Sequence, residues 1–299
     1  MTSAALSWGS ALLAFGPSAA LLFLIVYQKA QLVIVVTTSA FAFLVASLFA
    51  SFVWWIFNLM GLQHPLLVLF PGVISQFLMR CVFVHLYHKV EKVIQISIAR
   101  HEEEQQQRQQ SADATNTTQE WTETARLRLE LNDWACGLAA GNGFGGMHAI
   151  LLYGTLLASE SGNVGTLYQP SCPNIPGLVV SAFNAFLFAI LDLAWMLFTF
   201  FGMRVRASGL EESTVTPSFG SYFGNSRKSG TIVLAFVLVT HLAASFATLP
   251  NYYNGGCRVS FPLLALITVG TLAAFRVGVS NIYLPPGQRR RMVGEEHHD

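Results

Sequence analysis

Of the 299 residues, 53% are hydrophobic and 11% are charged, and the mean hydropathy is +0.49. A water-soluble domain of this length has no core large enough to absorb that excess of apolar side chains. The formal net charge of +1 offers no basic surface for nucleic acid.

Several apolar runs exceed the roughly 18 residues needed to cross about 30 Å of hydrocarbon as a helix. Helices are the expected form, because backbone polar groups in lipid must be satisfied within the segment. The runs place spans at Ala4 to Val26, Leu32 to Asn58, Leu66 to Tyr87, Trp134 to Ala158, Pro176 to Phe201, Thr231 to Leu249 and Ser260 to Val279. The first run is too long and lacks the basic flank of a cleavable signal peptide, so it is expected to be the first span. The expected fold is therefore all-α: a polytopic membrane protein with one seven-transmembrane-helix bundle over residues 1–285 and a short tail over 286–299.

Basic residues set the orientation. One set of alternate loops carries Lys29, then Lys89, Lys92, Arg100, Arg108, Arg126 and Arg128, then Arg204, Arg206, Arg227 and Lys228, then Arg289, Arg290 and Arg291. The other set carries Arg258. This asymmetry predicts a luminal or extracellular N terminus and a cytosolic C terminus. Trp8, Trp54 and Trp55 near outer ends and Trp134 at an inner end suit an interfacial aromatic belt. The segment from Val90 to Asn132 is polar, with a Glu- and Gln-rich centre from His101 to Gln110, and is expected to be a largely disordered cytosolic linker. A short helix over Glu120 to Glu130 is a second possibility there.

Within the fourth run, Gly137, Gly141 and Gly145 recur every four residues beside Gly143, Gly146, Ala139 and Ala140, leaving one helical face almost bare. In lipid such faces are association surfaces. The spacing leaves two uses open: packing against a neighbouring span, or docking a partner. The run lacks the Lys-Ser/Thr ending of a phosphate loop.

Ionisable residues inside spans are costly and normally face the bundle interior. Asp192 in the fifth span and His241 in the sixth sit at similar distances from the inner ends, roughly 14–16 Å deep at 1.5 Å per residue. That depth allows an Asp192–His241 hydrogen bond. Arg80 in the third span can reach Asp192 or snorkel to the interface. His148 in the fourth is less well matched in depth. The alternative use of Asp192, His241 and His148 is a metal or proton-transfer site.

Specific catalytic chemistries fit poorly. An aspartyl intramembrane protease needs two carboxylates sharing a proton, and Asp192 stands alone at mid-span. Ser245 follows His241 by one helical turn, but no nucleophile elbow accompanies it. A retinal-type receptor would need a Lys in the seventh span, and none is present. Of four cysteines, Cys81 and Cys136 fall in or near spans, whereas Cys172 and Cys257 fall in the two loops on the outer, oxidising side. A Cys172–Cys257 bond is expected from that topology, with two free thiols as the alternative.

Several segments in order resemble the anterior-pharynx-defective (Aph) family: Ala14-Phe15-Gly16-Pro17, Leu44-Val45-Ala46-Ser47, Ala50-Ser51-Phe52-Val53-Trp54, Tyr87-His88-Lys89 with Lys92, the repeat of Gly137-Leu138, Gly141 and Gly145, Ser181-Ala182-Phe183 with Trp195, and His241-Leu242. The chain departs from the family where Asp192 replaces a second intramembrane histidine and where Arg80 and Cys81 replace a Gln-Glu pair. The resemblance implies a non-catalytic scaffold subunit of gamma-secretase that needs no metal or cofactor. It would support assembly and presenilin maturation among presenilin, nicastrin, the presenilin enhancer subunit and membrane lipids. It also implies residence in the endoplasmic reticulum, Golgi, plasma and endosomal membranes and a part in intramembrane proteolysis and Notch signalling. Under it the glycine face is a helix-docking surface, and Asp192 with His241 fixes the bundle. The competing class is a seven-helix membrane metallohydrolase using Asp192, His241 and His148.

The orientation carries a direct test. Asn116-Thr117-Thr118 is a glycosylation sequon that the topology places in the cytosol, so it should carry no glycan. An endoglycosidase-sensitive mass shift that disappears in Asn116→Gln would reverse the assigned sidedness.

Overall fold

The structure, a computed structural model, describes residues 4–27, 29–62, 64–109, 133–160, 167–208 and 227–278. The sequon at Asn116, the expected helix over Glu120 to Glu130 and the tail over 286–299 lie outside these. Seven helices are long and apolar enough to cross a membrane. They are α1 (Ala4–Val26), α2 (Ala30–Leu59), α3 (Pro65–Gln109), α4 (Asp133–Glu160), α5 (Gly177–Ser208), α6 (Arg227–Ala247) and α7 (Cys257–Gly278). A short antiparallel hairpin, β1 (Tyr168–Gln169) with β2 (Cys172–Pro176), precedes α5.

The bundle is organised around α5. Inside the structure 78% of its spanning window is buried, against 56% for α4 and 17% for α1. One side of α5 carries Leu191, Trp195, Phe198 and Phe201 into a core with Val233, Val237 and Ala244 of α6 and Leu264 of α7. Met196 and Phe200 turn the other way and meet Phe43 of α2, Val84 of α3 and Phe144 of α4.

The glycine stripe of α4 lies in this internal seam. A Cβ on Gly137 would come 2.8 Å from Leu197 Cδ2, one on Gly141 would come 2.7 Å from Leu193 Cα, and one on Gly145 would come 2.9 Å from the Ala189 carbonyl oxygen. Of the two uses open from spacing for Gly137, Gly141 and Gly145, packing against a neighbouring span is the one these contacts describe, with α5 of the same chain across the seam. The descending register, 137 to 197, 141 to 193 and 145 to 189, makes α4 and α5 antiparallel. Gly143 faces another neighbour: a Cβ there would collide with Ser39 Oγ and the Val36 carbonyl of α2. Two backbones thus crowd α4, and van der Waals contact of this kind holds helices together where the hydrophobic effect does not. Farther along α4, a π-helical turn at Ile150–Gly154 contains the buried Tyr153, whose hydroxyl meets Ser10 Oγ of α1 at 2.8 Å.

The two ends of the bundle are fastened differently. At one end a Cys172–Cys257 disulfide joins β2 to the start of α7, and Gly255 and Cys257 donate backbone hydrogen bonds to the Pro170 and Ser171 carbonyls. Gly255 turns the chain there with φ +74°, a left-handed conformation suited to glycine. At the other end Arg204 of α5 donates from Nε to Asp133 at 2.8 Å and from Nη2 to Glu91 of α3 at 2.6 Å.

One expectation is revised. The polar segment from Val90 to Asn132 is expected to be largely disordered, but α3 continues as helix through Gln109; the remainder, 110–132, lies outside the described residues. Glu, Gln, Lys and Arg are good helix formers, so the charge run marks where the helix leaves the apolar layer, not where it ends.

Because the atom facing Gly141 is backbone, it cannot yield as a side-chain tip can. Gly141→Leu is expected to destabilise the isolated chain by about 1–3 kcal/mol through overpacking, read as a lowered melting midpoint in detergent. Gly9→Leu, where a Cβ meets nothing within 4 Å, should leave the midpoint in place. Equal midpoints for Gly141→Leu and the parent chain would remove the stripe from the internal seam.

Candidate functional site

Four helices each bring one ionisable side chain to the same region of the interior: Arg80 from α3, His148 from α4, Asp192 from α5 and His241 from α6. Arg80 and Asp192 are 0% exposed and His241 is 2% exposed. Arg80 Nη2 donates to Asp192 Oδ1, forming an ion pair. Arg80 Nη1 lies 3.1 Å from His241 Nδ1, and His148 Nδ1 lies 2.8 Å from Asp192 Oδ2. Guanidinium groups only donate and carboxylates only accept, so His241 Nδ1 accepts from Arg80 and His148 Nδ1 donates to Asp192.

Aromatic faces enclose the group. The Arg80 Cζ stands 5.2 Å from the centroids of both Phe144 and Trp195, an arrangement in which ring quadrupoles favour the cation. Trp195 stacks on His241 at 4.3 Å and donates its Nε1 proton to Thr240 Oγ1 at 2.9 Å. His148 sits between Phe188 at 4.9 Å and Phe43 at 5.2 Å.

The expected Asp192–His241 hydrogen bond is replaced by a relay through Arg80. Asp192 instead takes His148, the residue judged less well matched in depth. The reason lies in helix geometry. The α4–α5 seam sets residue 148 opposite about residue 186, so a straight count puts His148 and Asp192 six residues apart, roughly 9 Å. Side chains lean toward the N terminus of their own helix. In an antiparallel pair these two therefore lean toward each other and close the gap.

The same geometry disfavours a metal centre built from Asp192, His241 and His148. A guanidinium stands between His241 and the carboxylate, where it would repel a divalent cation. Among the described residues, the three-ligand cluster with metal-compatible spacing is elsewhere, at His88, Glu91 and Asp133, with ligand atoms within 4.8 Å of one another. Arg204 already occupies both of its carboxylates. Sequence reasoning counted Arg204 only as a marker of sidedness and missed this pairing. The acidic residue in the first turn of α4, Asp133, was the available signal.

Removing one member of a buried ion pair leaves the other charge unpaired and costs about 3–5 kcal/mol, whereas replacing both by apolar groups is often near neutral. Arg80→Met and Asp192→Leu are each expected to lower the detergent melting midpoint sharply, and the double variant to recover most of the loss. The Arg80–Asp192 coupling should exceed the Asp192–His241 coupling in double-mutant cycles. Additive losses for Arg80 and Asp192 would mean that the pair does not form.

Comparison with known proteins matches this arrangement to one family. A family model described as Aph-1 protein matches residues 5–280. A relative from Arabidopsis thaliana, "Gamma-secretase subunit APH1-like", is 27% identical over 269 residues, covering 88% of each chain. With a match running from the first span to the end of the last, and seven apolar helices to go with it, this integral membrane protein belongs to the Aph-1 family.

Proposed function

We propose that the chain is a non-catalytic scaffold subunit of a gamma-secretase complex, assembling with presenilin, nicastrin and the presenilin enhancer subunit in membranes of the secretory and endosomal system. The observation that carries the non-catalytic part is the state of Asp192. Among the described spans it is the one carboxylate at mid-depth; the others, Glu91, Asp133 and Glu160, lie at span ends. Both Asp192 oxygens are taken, one by Arg80 and one by His148, so it has neither a second carboxylate nor a free oxygen for general acid–base work on a peptide bond. Presenilin would supply the catalytic aspartates.

The glycine seam lies inside the chain, so partners would dock on outward faces. Trp8, Leu12 and Phe23 of α1 and Phe41, Leu48 and Phe52 of α2 are exposed, an apolar surface suited to lipid and to other membrane helices. In this reading the disulfide end faces the lumen or exterior and the Arg204 end faces the cytosol. Two independent signals support that sidedness: the bias of basic residues and the need of a disulfide for an oxidising compartment.

Affinity purification of the tagged full-length chain in mild detergent tests the proposal. Presenilin, nicastrin and the presenilin enhancer subunit are expected in the eluate, and metal analysis is expected to find no stoichiometric zinc. Recovery of the chain without them, carrying one zinc per chain, would overturn the scaffold reading in favour of the metallohydrolase.

A further inference from the structure

At the disulfide end of the bundle, α6 runs through a 3-10 turn (Leu249–Tyr252) into the short connection to α7. Two large aromatic side chains stand out from it: Tyr252 is 69% exposed and Tyr253 is 74% exposed. Other bare apolar side chains, such as Leu266 of α7, lie well inside a span where lipid tails cover them. The tyrosines do not. The sixth apolar stretch ends at Tyr252 and the seventh begins at Cys257.

That spacing fixes their depth. Four residues, 253–256, join the two spans. At about 3.5 Å per step the path from Tyr252 to Cys257 has a contour near 17 Å, and a chain that goes out and returns rises no more than about half of it. This chain rises less, because it is folded. Tyr253 N donates to the Pro250 carbonyl at 2.9 Å, Gly256 N to the Tyr253 carbonyl at 3.1 Å and Arg258 N to the Gly255 carbonyl at 3.3 Å. The β1–β2 hairpin backs the turn through the Cys172–Cys257 bond and the hydrogen bonds to Pro170 and Ser171. So held, the turn stays within the headgroup layer, which is about 5–8 Å thick on each side of the hydrocarbon.

The chemistry of the turn suits that layer. A phenol ring has an apolar body and a polar tip, and it is favoured where hydrocarbon gives way to glycerol and phosphate. From Thr248 to Phe261 the sequence contains no acidic residue to repel phosphate. Its one charged side chain, Arg258, is exposed and has the sign that attracts it. The turn is also continuous with a lipid-facing surface: Val259, Leu263 and Leu266 are exposed at i, i+4 and i+7, one face of α7 that starts beside Arg258.

We propose that the α6–α7 turn is a docking surface for the phospholipid headgroup layer, with Tyr252 and Tyr253 set at the level of the lipid glycerol. The inference rests on the chain being an integral membrane protein. It depends neither on which side of the membrane the turn faces nor on assembly with partner subunits.

The test uses the full-length chain, unaltered, at one chain per lipid nanodisc. The discs contain phosphatidylcholine with a diazirine placed either next to the glycerol or at the end of the acyl chain, and carbene adducts are located residue by residue by mass spectrometry. Tyr252 and Tyr253 are expected to take the glycerol-level probe in preference to the tail-end probe. Leu266 lies roughly 14 Å farther in at 1.5 Å per residue, and the order should reverse there. Tyrosines free of both probes while Leu266 is labelled would put the turn in water and overturn the proposal. Loss of tyrosine labelling when two chains share a disc would make a second copy the occupant and would overturn it as well.

Discussion

A guanidinium and a carboxylate buried between membrane helices must meet each other, and most of the bundle's geometry follows from that meeting. Neither Arg80 nor Asp192 has access to water, and an isolated charge at such a site costs several kcal/mol even after relaxation. Their contact fixes the rotation of α3 about its axis relative to α5. His241 then meets Arg80 Nη1 and His148 meets Asp192 Oδ2, which fixes α6 and α4 in turn. Polar groups in a membrane bundle add modest energy individually, but here they select one set of helix rotations among many that lipid and apolar side chains would accept.

The network depends on close approach elsewhere. His148 reaches Asp192 because the α4 and α5 backbones nearly touch along Gly137, Gly141 and Gly145, and side chains there would push the imidazole out of range. The bare seam and the charged cluster are therefore two parts of one device. This coupling gives the glycine repeat a physical reason that does not require a partner, while leaving the outward faces of α1 and α2 available for one.

The seven spans were legible because hydrocarbon thickness demands a length of apolar sequence that soluble helices seldom show. Hydropathy reports solvent, not conformation, which is why the helical stretch of α3 from Val90 to Gln109 was not legible as helix. The glycine repeat was legible as a bare face, but spacing along one helix says nothing about which helix lies across from it. Asp192, His241 and Arg80 stood out as ionisable groups in apolar runs. Their pairing was not legible, since counting depth from helix ends ignores the lean of side chains in antiparallel helices and underrated His148. The joining of Cys172 to Cys257 was accessible from topology because those two cysteines alone shared one side.

The length of α3 has a mechanical consequence. From Ile94, the end of its membrane-spanning stretch, the helix runs on to Gln109, roughly 20 Å at 1.5 Å per residue. The lipid headgroup layer is only about 5–8 Å thick on each side. A helix standing upright over that distance would act as a mast, delivering whatever follows Gln109 clear of the headgroups. On inside-out vesicles, which turn the cytosolic face outward in the proposed orientation, a short epitope grafted at its tip would be within reach of an antibody without detergent and without disturbing the helices that hold the charges.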